Sequence, residues 1–146
     1  MSTLLITDVT GGEALRDWRF VHNEIIPTAP LSPDEVRERA GRNLLDVAYA
    51  DGVLVGCTTV RPPTGGTATA TVIARVLPAH RRRGFGSRLY AHGLERARAA
   101  GATGIETVVL ASNTAGLRFA LALGFVEFDR YVLHGDTIAF VELRLP

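Results

Sequence analysis

One stretch of the chain decides how the rest is interpreted: VLPAHRRRGFGS, at positions 76–87. An apolar run rich in threonine and valine precedes it and a helical pattern follows, so three arginines at 81–83 stand where a strand gives way to a helix. Cations there oppose the helix dipole, and the first backbone N–H groups of a helix have no partner within it. A phosphate or pyrophosphate would satisfy both, because guanidinium groups, dipole and backbone donors all favour an anion. Gly84 and Gly86 would let the backbone approach such a ligand closely.

These residues alone leave two interpretations of the turn open, an anion-binding site and a basic turn facing solvent. No Gly-Lys-Ser/Thr ending follows the turn, which excludes the phosphate-binding loop of nucleotide hydrolases. The third glycine of a dinucleotide-binding fingerprint is also missing. The surrounding sequence has to decide between the two interpretations.

The composition is that of an ordinary globular protein. The chain has 146 residues, 47% of them hydrophobic and 21% charged, so we expect a single domain spanning 1–146. The net charge of +1 argues against nucleic-acid binding, which would require a whole basic face. Cys57 is the single cysteine, so we expect a small buried strand residue and no metal site. With no signal peptide and no apolar run near ~20 residues, we expect a cytoplasmic protein that does not contact a membrane.

Hydrophobic periodicity and turn signals predict an α/β (α+β) fold, with four helices and a mixed central sheet of about six to seven strands. The predicted order is β-α-α-β-β-β-α-β-α-β-β. Ser32, Pro33 and Glu35 form a capping box at the start of the second helix, and Asp51-Gly52 is typical of a hairpin turn. The strands are predicted at 4–9, 44–50, 53–60, 67–77, 104–111, 125–133 and 137–145, and the helices at 13–26, 33–42, 86–100 and 114–123. Only the strand–helix–strand unit over 67–111 requires a parallel pair of strands.

The pattern Val-x-Pro-x-x-Arg-x-x-Gly-x-Gly begins at Val76. It is followed by a helix, a strand, Asn113 and a helix ending in Leu-Gly-Phe at 123–125. This arrangement resembles the GNAT superfamily of N-acetyltransferases. The specific motifs lie within about 70–128, and the element order is similar over nearly the whole chain. The resemblance implies the GNAT fold.

It also implies transfer of an acetyl (acyl) group from acetyl-CoA to an amine, by direct attack in a ternary complex. The acceptor would be a small-molecule amine or a peptide N-terminus, and a homodimer is left open. The alternative is a non-catalytic acyl-CoA-binding sensor or partner module of the same fold.

The resemblance also implies which residues hold acetyl-CoA. In that family the loop from Arg81 to Gly86 receives the pyrophosphate on its backbone amides. The preceding strand pairs with the pantetheine arm as an added strand would, and a backbone N–H near Val76 could stabilise the oxyanion. Asn113 corresponds to an asparagine near the cofactor and is equally an N-cap for the following helix. The implied set is Ala74, Val76, Arg81, Arg82, Arg83, Gly84, Phe85, Gly86, Ser87 and Asn113.

The groups that would move protons depart from the family pattern. Ala120 stands where many members have a tyrosine, and Val108 stands where many have a glutamate. Glu24, or His22 beside it, is a candidate general base at the end of the first helix, with a solvated helix end as the alternative. Tyr131 could supply a hydroxyl to the acceptor pocket, and it could equally be an ordinary half-buried strand residue.

Overall fold

The computed structural model describes residues 3–146 and confirms the predicted order of elements. The strands are β1 Leu4–Asp8, β2 Leu44–Ala50, β3 Val53–Arg61, β4 Thr69–Val76, β5 Gly104–Leu110, β6 Val126–Tyr131 and β7 Phe140–Arg144. The α-helices are α1 Gly12–Ile25, α2 Pro33–Arg42, α3 Phe85–Ala99 and α4 Thr114–Ala122, and a single 3-10 turn covers Pro78–His80. The predicted capping box is present at α2, where Ser32 and Glu35 bond each other's backbone N–H groups.

The strands form one seven-stranded sheet in the order β1-β2-β3-β4-β5-β7-β6. Every neighbouring pair is antiparallel except β4 and β5, which confirms the predicted parallel pair. The parallel pairing covers only three residues of each strand, from Thr69 opposite Gly104 to Thr71 opposite Glu106. Beyond this point the two strands diverge and leave a gap in the middle of the sheet, which we call the β4–β5 gap.

The final hairpin is shorter than predicted. Strands were expected at 125–133 and 137–145, whereas β6 ends at Tyr131 and β7 begins at Phe140. The apolar pattern continues into the connection, but Val132 and Leu133 are about half exposed there. The turn closes where the Asp136 N–H donates to the Leu133 carbonyl at 2.9 Å. The pattern therefore marked the hairpin correctly and overestimated the length of its strands.

The sheet is covered on both faces. Helices α1 and α2 pack on the face that presents Cys57 and Ile73, together with Trp18 of α1. Helices α3 and α4 pack on the opposite face, where Val72 and Val141 lie. The alternation of strand side chains separates the two layers. Cys57 is fully buried in the first layer, as predicted.

Helix α3 is held close to the sheet by shape and by charge. Asp46 of β2 is almost fully buried, and it accepts from Arg96 at 2.7 Å, from His92 at 3.1 Å and from Thr58 at 3.3 Å. A buried carboxylate needs such partners to offset its lost hydration. Gly93 provides the close contact, because a Cβ placed on it would lie 2.6 Å from Cγ1 of Val72.

Replacing Gly93 by alanine should lower the free energy of unfolding by about 1–3 kcal/mol, since the added methyl group overpacks α3 against β4. Gly41→Ala in α2 is the matched control, because no atom lies within 4 Å of a Cβ there. The control should gain up to about 1 kcal/mol from helix propensity alone. Urea unfolding measures both. A similar gain in the two variants would contradict the close α3–β4 contact.

Candidate active site

The β4–β5 gap opens into a cleft of about 370 Å³. The cleft is bounded by β4, the loop after it, the start of α3 and the start of α4. Nine of the ten residues predicted to hold acetyl-CoA line it. These nine are Ala74, Val76, Arg81, Arg82, Gly84, Phe85, Gly86, Ser87 and Asn113. Seven further residues complete the lining: Ile25, Arg75, His80, Ala115, Gly116, Arg118 and Phe119.

The loop before α3 has the backbone of an anion-binding nest. Arg82 and Gly84 both have left-handed φ angles, 63° and 79°. This conformation costs a non-glycine residue about 1–2 kcal/mol. Strained backbone conformations of this kind cluster at binding sites, so the left-handed Arg82 indicates a ligand-binding loop. Gly84 is the N-cap of α3 and supplies no side-chain cap. The first backbone donors of α3 are therefore left to a ligand in the cleft.

The three arginines of this loop have different surroundings. The Arg81 Nε donates to the Val76 carbonyl at 3.1 Å and so ties the loop to the end of β4. Arg82 lines the cleft and is exposed. Arg83 is the one residue of the predicted set that does not line the cleft. Its guanidinium lies 4.7 Å from the centre of the Phe85 ring and donates to His80 Nδ1 at 3.5 Å.

Beyond Thr71, the backbone of β4 faces the cleft without pairing to β5. The Leu77 N–H donates to the Val55 carbonyl at 2.8 Å, and Arg75 lies opposite Cys57 in the same ladder. Because alternate residues of an antiparallel strand bond to one neighbour, Arg75 and Leu77 direct their backbone groups toward β3. Ala74 and Val76 therefore direct theirs toward the β4–β5 gap. Within residues 3–146, β5 pairs with β4 only up to Thr71.

Asn113 was predicted both as the N-cap of the following helix and as a residue near the cofactor. Its side-chain Oδ1 accepts from the Gly116 N–H at 3.1 Å, which caps α4. The same residue lines the cleft. The cap holds the side chain at the cleft wall, and contact with the cofactor remains a prediction.

The structure does not bring the two predicted catalytic residues to the cleft. Glu24 is exposed on α1, and Tyr131 is 38% exposed and stacks on Phe140 with ring centres 5.4 Å apart. Neither residue lines the cleft. Ala120 and Val108, at the positions where the family has its tyrosine and glutamate, are buried and apolar. The role of Glu24 and Tyr131 stays a prediction.

His22 does not lie at a solvated helix end, so that expectation was wrong for this residue. It is 4% exposed, because the 27–32 segment folds back over the end of α1, and it stacks on Trp18 one helical turn earlier. Its Nε2–H donates to the Ala29 carbonyl at 3.1 Å, which leaves Nδ1 without a proton and without a partner within residues 3–146. Burial, with a smaller contribution from Arg75, lowers the pKa of His22 to about 4. The ring is neutral at physiological pH.

Arg75 is one of the seven lining residues that were not predicted from the sequence. It lies between Ala74 and Val76, and it also lines a second, smaller cavity together with Tyr90 and Val108. Burial lowers the pKa of Arg75. A charged residue in an apolar strand was the available signal, since such a residue needs a partner or a cleft.

Within residues 3–146 no group of three or more metal-ligating side chains is placed to hold an ion. No helix in that part of the chain is both long enough and apolar enough to cross a bilayer.

Comparison with known families identifies the chain. The model of the acetyltransferase (GNAT) family matches residues 13–125, which is most of the sequence and includes the whole cleft. The chain belongs to the GNAT acetyltransferase family. A search of curated proteins finds no match to this member of the family.

Solved structures share the fold of this GNAT protein over nearly its whole length. A protein assigned as a phosphinothricin N-acetyltransferase is 20% identical with a TM-score of 0.78, and 98% of each chain is covered. YncA from Salmonella typhimurium, solved with its cofactor acetyl-CoA, is 19% identical with a TM-score of 0.72, covering 97% of this chain and 92% of that one. The ribosomal-protein-S18-alanine N-acetyltransferase of Escherichia coli is 20% identical with a TM-score of 0.75, covering 99% and 94%. At these identities the likeness shows a common fold.

The buried position of His22 predicts a loss of stability in mild acid. Its pKa is lowered in the folded state, so the unfolded state binds the proton more readily between about pH 6.5 and 4. Stability should therefore fall as the pH falls through this window, by about 2 kcal/mol between pH 7.5 and 5. The His22→Gln variant can still donate a hydrogen bond to Ala29 but does not titrate. Over the same pH range its stability should therefore fall by about 2 kcal/mol less than that of the wild-type protein. Urea unfolding at the two pH values measures the difference, with His134→Gln on the exposed loop as control. Equal pH dependence in all three proteins would contradict the assignment.

Proposed function

We propose that this protein is an N-acetyltransferase that transfers the acetyl group of acetyl-CoA to an amine by direct attack in a ternary complex. The acceptor is a small-molecule amine or a peptide N-terminus. One observation carries the proposal: the cleft at the β4–β5 gap joins an anion-binding loop to the part of the β4 backbone that does not pair with β5. An extended ligand with a pyrophosphate at one end and amide groups along its length fits both features.

The loop and helix supply the binding energy for the pyrophosphate. Backbone donors at Gly84, Gly86 and Ser87, with the positive end of the α3 dipole, would face it. Arg82 and Arg118 also line the cleft and add cationic groups. Guanidinium groups bind phosphate oxygens in a fork of two hydrogen bonds. These contacts would fix the position of the cofactor before the reaction.

The strand positions the thioester. Ala74 would pair with the amide groups of the pantetheine arm, in the place of the strand that the gap lacks. The Val76 N–H would then donate to the thioester carbonyl oxygen as it becomes an oxyanion. The amine nitrogen attacks the carbonyl carbon, the carbon–sulfur bond breaks, and the amine loses a proton as the thiolate gains one. In this proposal Glu24, acting through water, or the Tyr131 hydroxyl assists the proton transfers.

The apolar character of Ala120 and Val108 favours a second candidate function. A GNAT protein without an acid or base at these positions could bind acyl-CoA as a sensor or partner module. We rank this below transfer, because a thiolate can leave without an acid from the protein and an amine can lose its proton to water. The relatives named above also bear on the choice. YncA was solved with acetyl-CoA, and the Escherichia coli protein is named as an alanine N-acetyltransferase.

The two candidate functions differ in thiol release. Incubation of the protein with acetyl-CoA and a panel of small amines and peptides should release free CoA thiol only when an acceptor is present, because the carbon–sulfur bond breaks only after attack. A thiol-reactive dye measures the release. Binding of acetyl-CoA by calorimetry with no release across the panel would overturn transfer and leave the binding module.

Replacing Gly86 by valine tests the cofactor site. A Cβ at this position lies 3.0 Å from Cζ of Phe119 and projects at the cleft wall. We expect the dissociation constant for acetyl-CoA to rise about tenfold or more, the loss of at least ~1.4 kcal/mol of binding energy. Gly12→Val at the start of α1 is the control, since no atom lies within 4 Å of its Cβ. If the Gly86 variant bound acetyl-CoA with unchanged affinity, the assignment of this loop to the cofactor site would be wrong.

A further inference from the structure

A row of neighbouring side chains on one face of the sheet contains a carboxylate. In the ladder of β5 with β7, Val108 lies directly opposite Glu142, and in the ladder of β7 with β6, Glu142 lies opposite Asp129. Residues that face each other in an antiparallel pair are on the same side of the sheet, with Cβ atoms about 4.5–5.5 Å apart. Val108 belongs to the core beneath α1 and α2, so Glu142 is on that face as well.

Glu142 has no partner for its charge. It is partly buried, and within residues 3–146 no arginine or histidine nitrogen lies within 4.0 Å of its carboxylate. The other two strand carboxylates that are not exposed both have an arginine partner. Asp46 bonds Arg96 at 2.7 Å, and Glu106 pairs with Arg144 at 3.6 Å. A carboxylate that loses hydration without gaining a partner is costly, so Glu142 is a candidate for a functional role.

The neighbour of Glu142 lines a cavity in the centre of the sheet. Val108 of β5 and Ile73 of β4 both line the second, smaller cavity, at a level where the two strands no longer pair. That cavity shares Ala74 and Asn113 with the cleft proposed for acetyl-CoA. Glu142 lies one strand further out, beside Val108. The end of a substrate that lies against Val108 is therefore within reach of the Glu142 carboxylate.

In the proposed function the two substrates approach the gap from opposite faces of the sheet. Helices α3 and α4, whose first turns line the cofactor cleft, pack on the face opposite to Val108 and Glu142. The acceptor amine then approaches from the face of α1 and α2. Ile25 and Ile26, at the end of α1, line the two cavities from this side. Glu142 is thus on the face from which the amine arrives.

We propose that Glu142 is the general base that takes a proton from the acceptor amine. This inference rests on the proposed transferase function and assigns its first proton transfer to a residue that was not predicted from the sequence. The carboxylate accepts a hydrogen bond from the incoming ammonium group and takes one proton, which leaves a lone pair on nitrogen to attack the thioester carbonyl carbon. When the carbon–sulfur bond breaks, its electron pair goes to sulfur, and a second proton from the nitrogen goes to that thiolate. Because Glu142 is only partly buried, the first proton can pass on to water.

The groups around Glu142 suit a cationic amine. Tyr131 of β6 lies diagonally from it in the ladder. Burial raises the pKa of Tyr131, and Glu142 adds to that rise, while Arg61 and Arg39 act in the opposite direction. The hydroxyl therefore keeps its proton at neutral pH, and its oxygen can accept a hydrogen bond from the amine. Asp129, opposite Glu142, is exposed and adds a second negative charge beside the path of the cation.

The test compares pH profiles of kcat/KM, followed by thiol release from acetyl-CoA with an acceptor amine. At pH 7 the Glu142→Gln variant should be slower than the wild-type protein by about 10²–10⁴-fold, the usual contribution of a general base. The variant depends on amine that has already lost its proton in solution. Its deficit should therefore narrow by about tenfold for each pH unit below the pKa of the acceptor. The dissociation constant for acetyl-CoA should not change, because Glu142 does not line the cleft.

The Glu127→Gln variant is the matched control, because Glu127 is on the same hairpin, is exposed and pairs with Arg130. It should keep the wild-type profile. The Glu142→Asp variant retains the carboxylate and should keep the shape of the profile at a lower rate, which separates loss of the base from loss of folding. A wild-type profile in Glu142→Gln, or a pH-dependent loss in Glu24→Gln instead, would overturn the inference. Absence of thiol release from the wild-type protein with every amine would overturn the transferase function itself, and the role of Glu142 with it.

Discussion

The short parallel pairing between β4 and β5 is the constraint on which the rest of the molecule depends. Three residue pairs join the two strands, from Thr69 to Thr71 on β4, and then the strands diverge. On its other side β4 pairs with β3 from Thr71 to Val76, and β5 pairs with β7 from Glu106 to Leu110. The strands cannot close the gap without breaking one of these ladders. Part of the β4 backbone therefore has no neighbouring strand on one side, although it lies in the centre of the sheet. This is normally a property of edge strands.

The two layers of helices lie on opposite faces of the sheet, on either side of this gap. Helix α3 sits tightly on the sheet through Gly93 and the buried Asp46, so its N-terminus points at the cleft from a fixed position. Helices α1 and α2 cover the other face of the sheet. Positive charge borders the cleft at the loop before α3, where Arg81 and Arg82 line it.

Local patterns explain what could be predicted from the sequence. The capping box at Ser32, the turn at Asp51-Gly52 and the glycine-rich loop each depend on residues close in the chain, and each is present in the structure. The buried state of His22 could not be predicted, because it depends on the 27–32 segment folding back over α1. The place of Arg75 in the cleft could not be predicted for a similar reason, since it depends on the divergence of β4 from β5. The final hairpin was predicted too long because its apolar pattern continues into exposed residues.

The open backbone of β4 has a consequence for the folded protein as a whole. A ligand that pairs with Ala74 and Val76 completes the sheet, and it can do so only in the native state. Mass action then adds its binding energy to the stability of the fold, about 2.7 kcal/mol at a concentration one hundred times the dissociation constant. An acyl-CoA bound in this way would be part of the architecture as well as a substrate. The population of folded molecules would then rise and fall with the acyl-CoA supply of the cell.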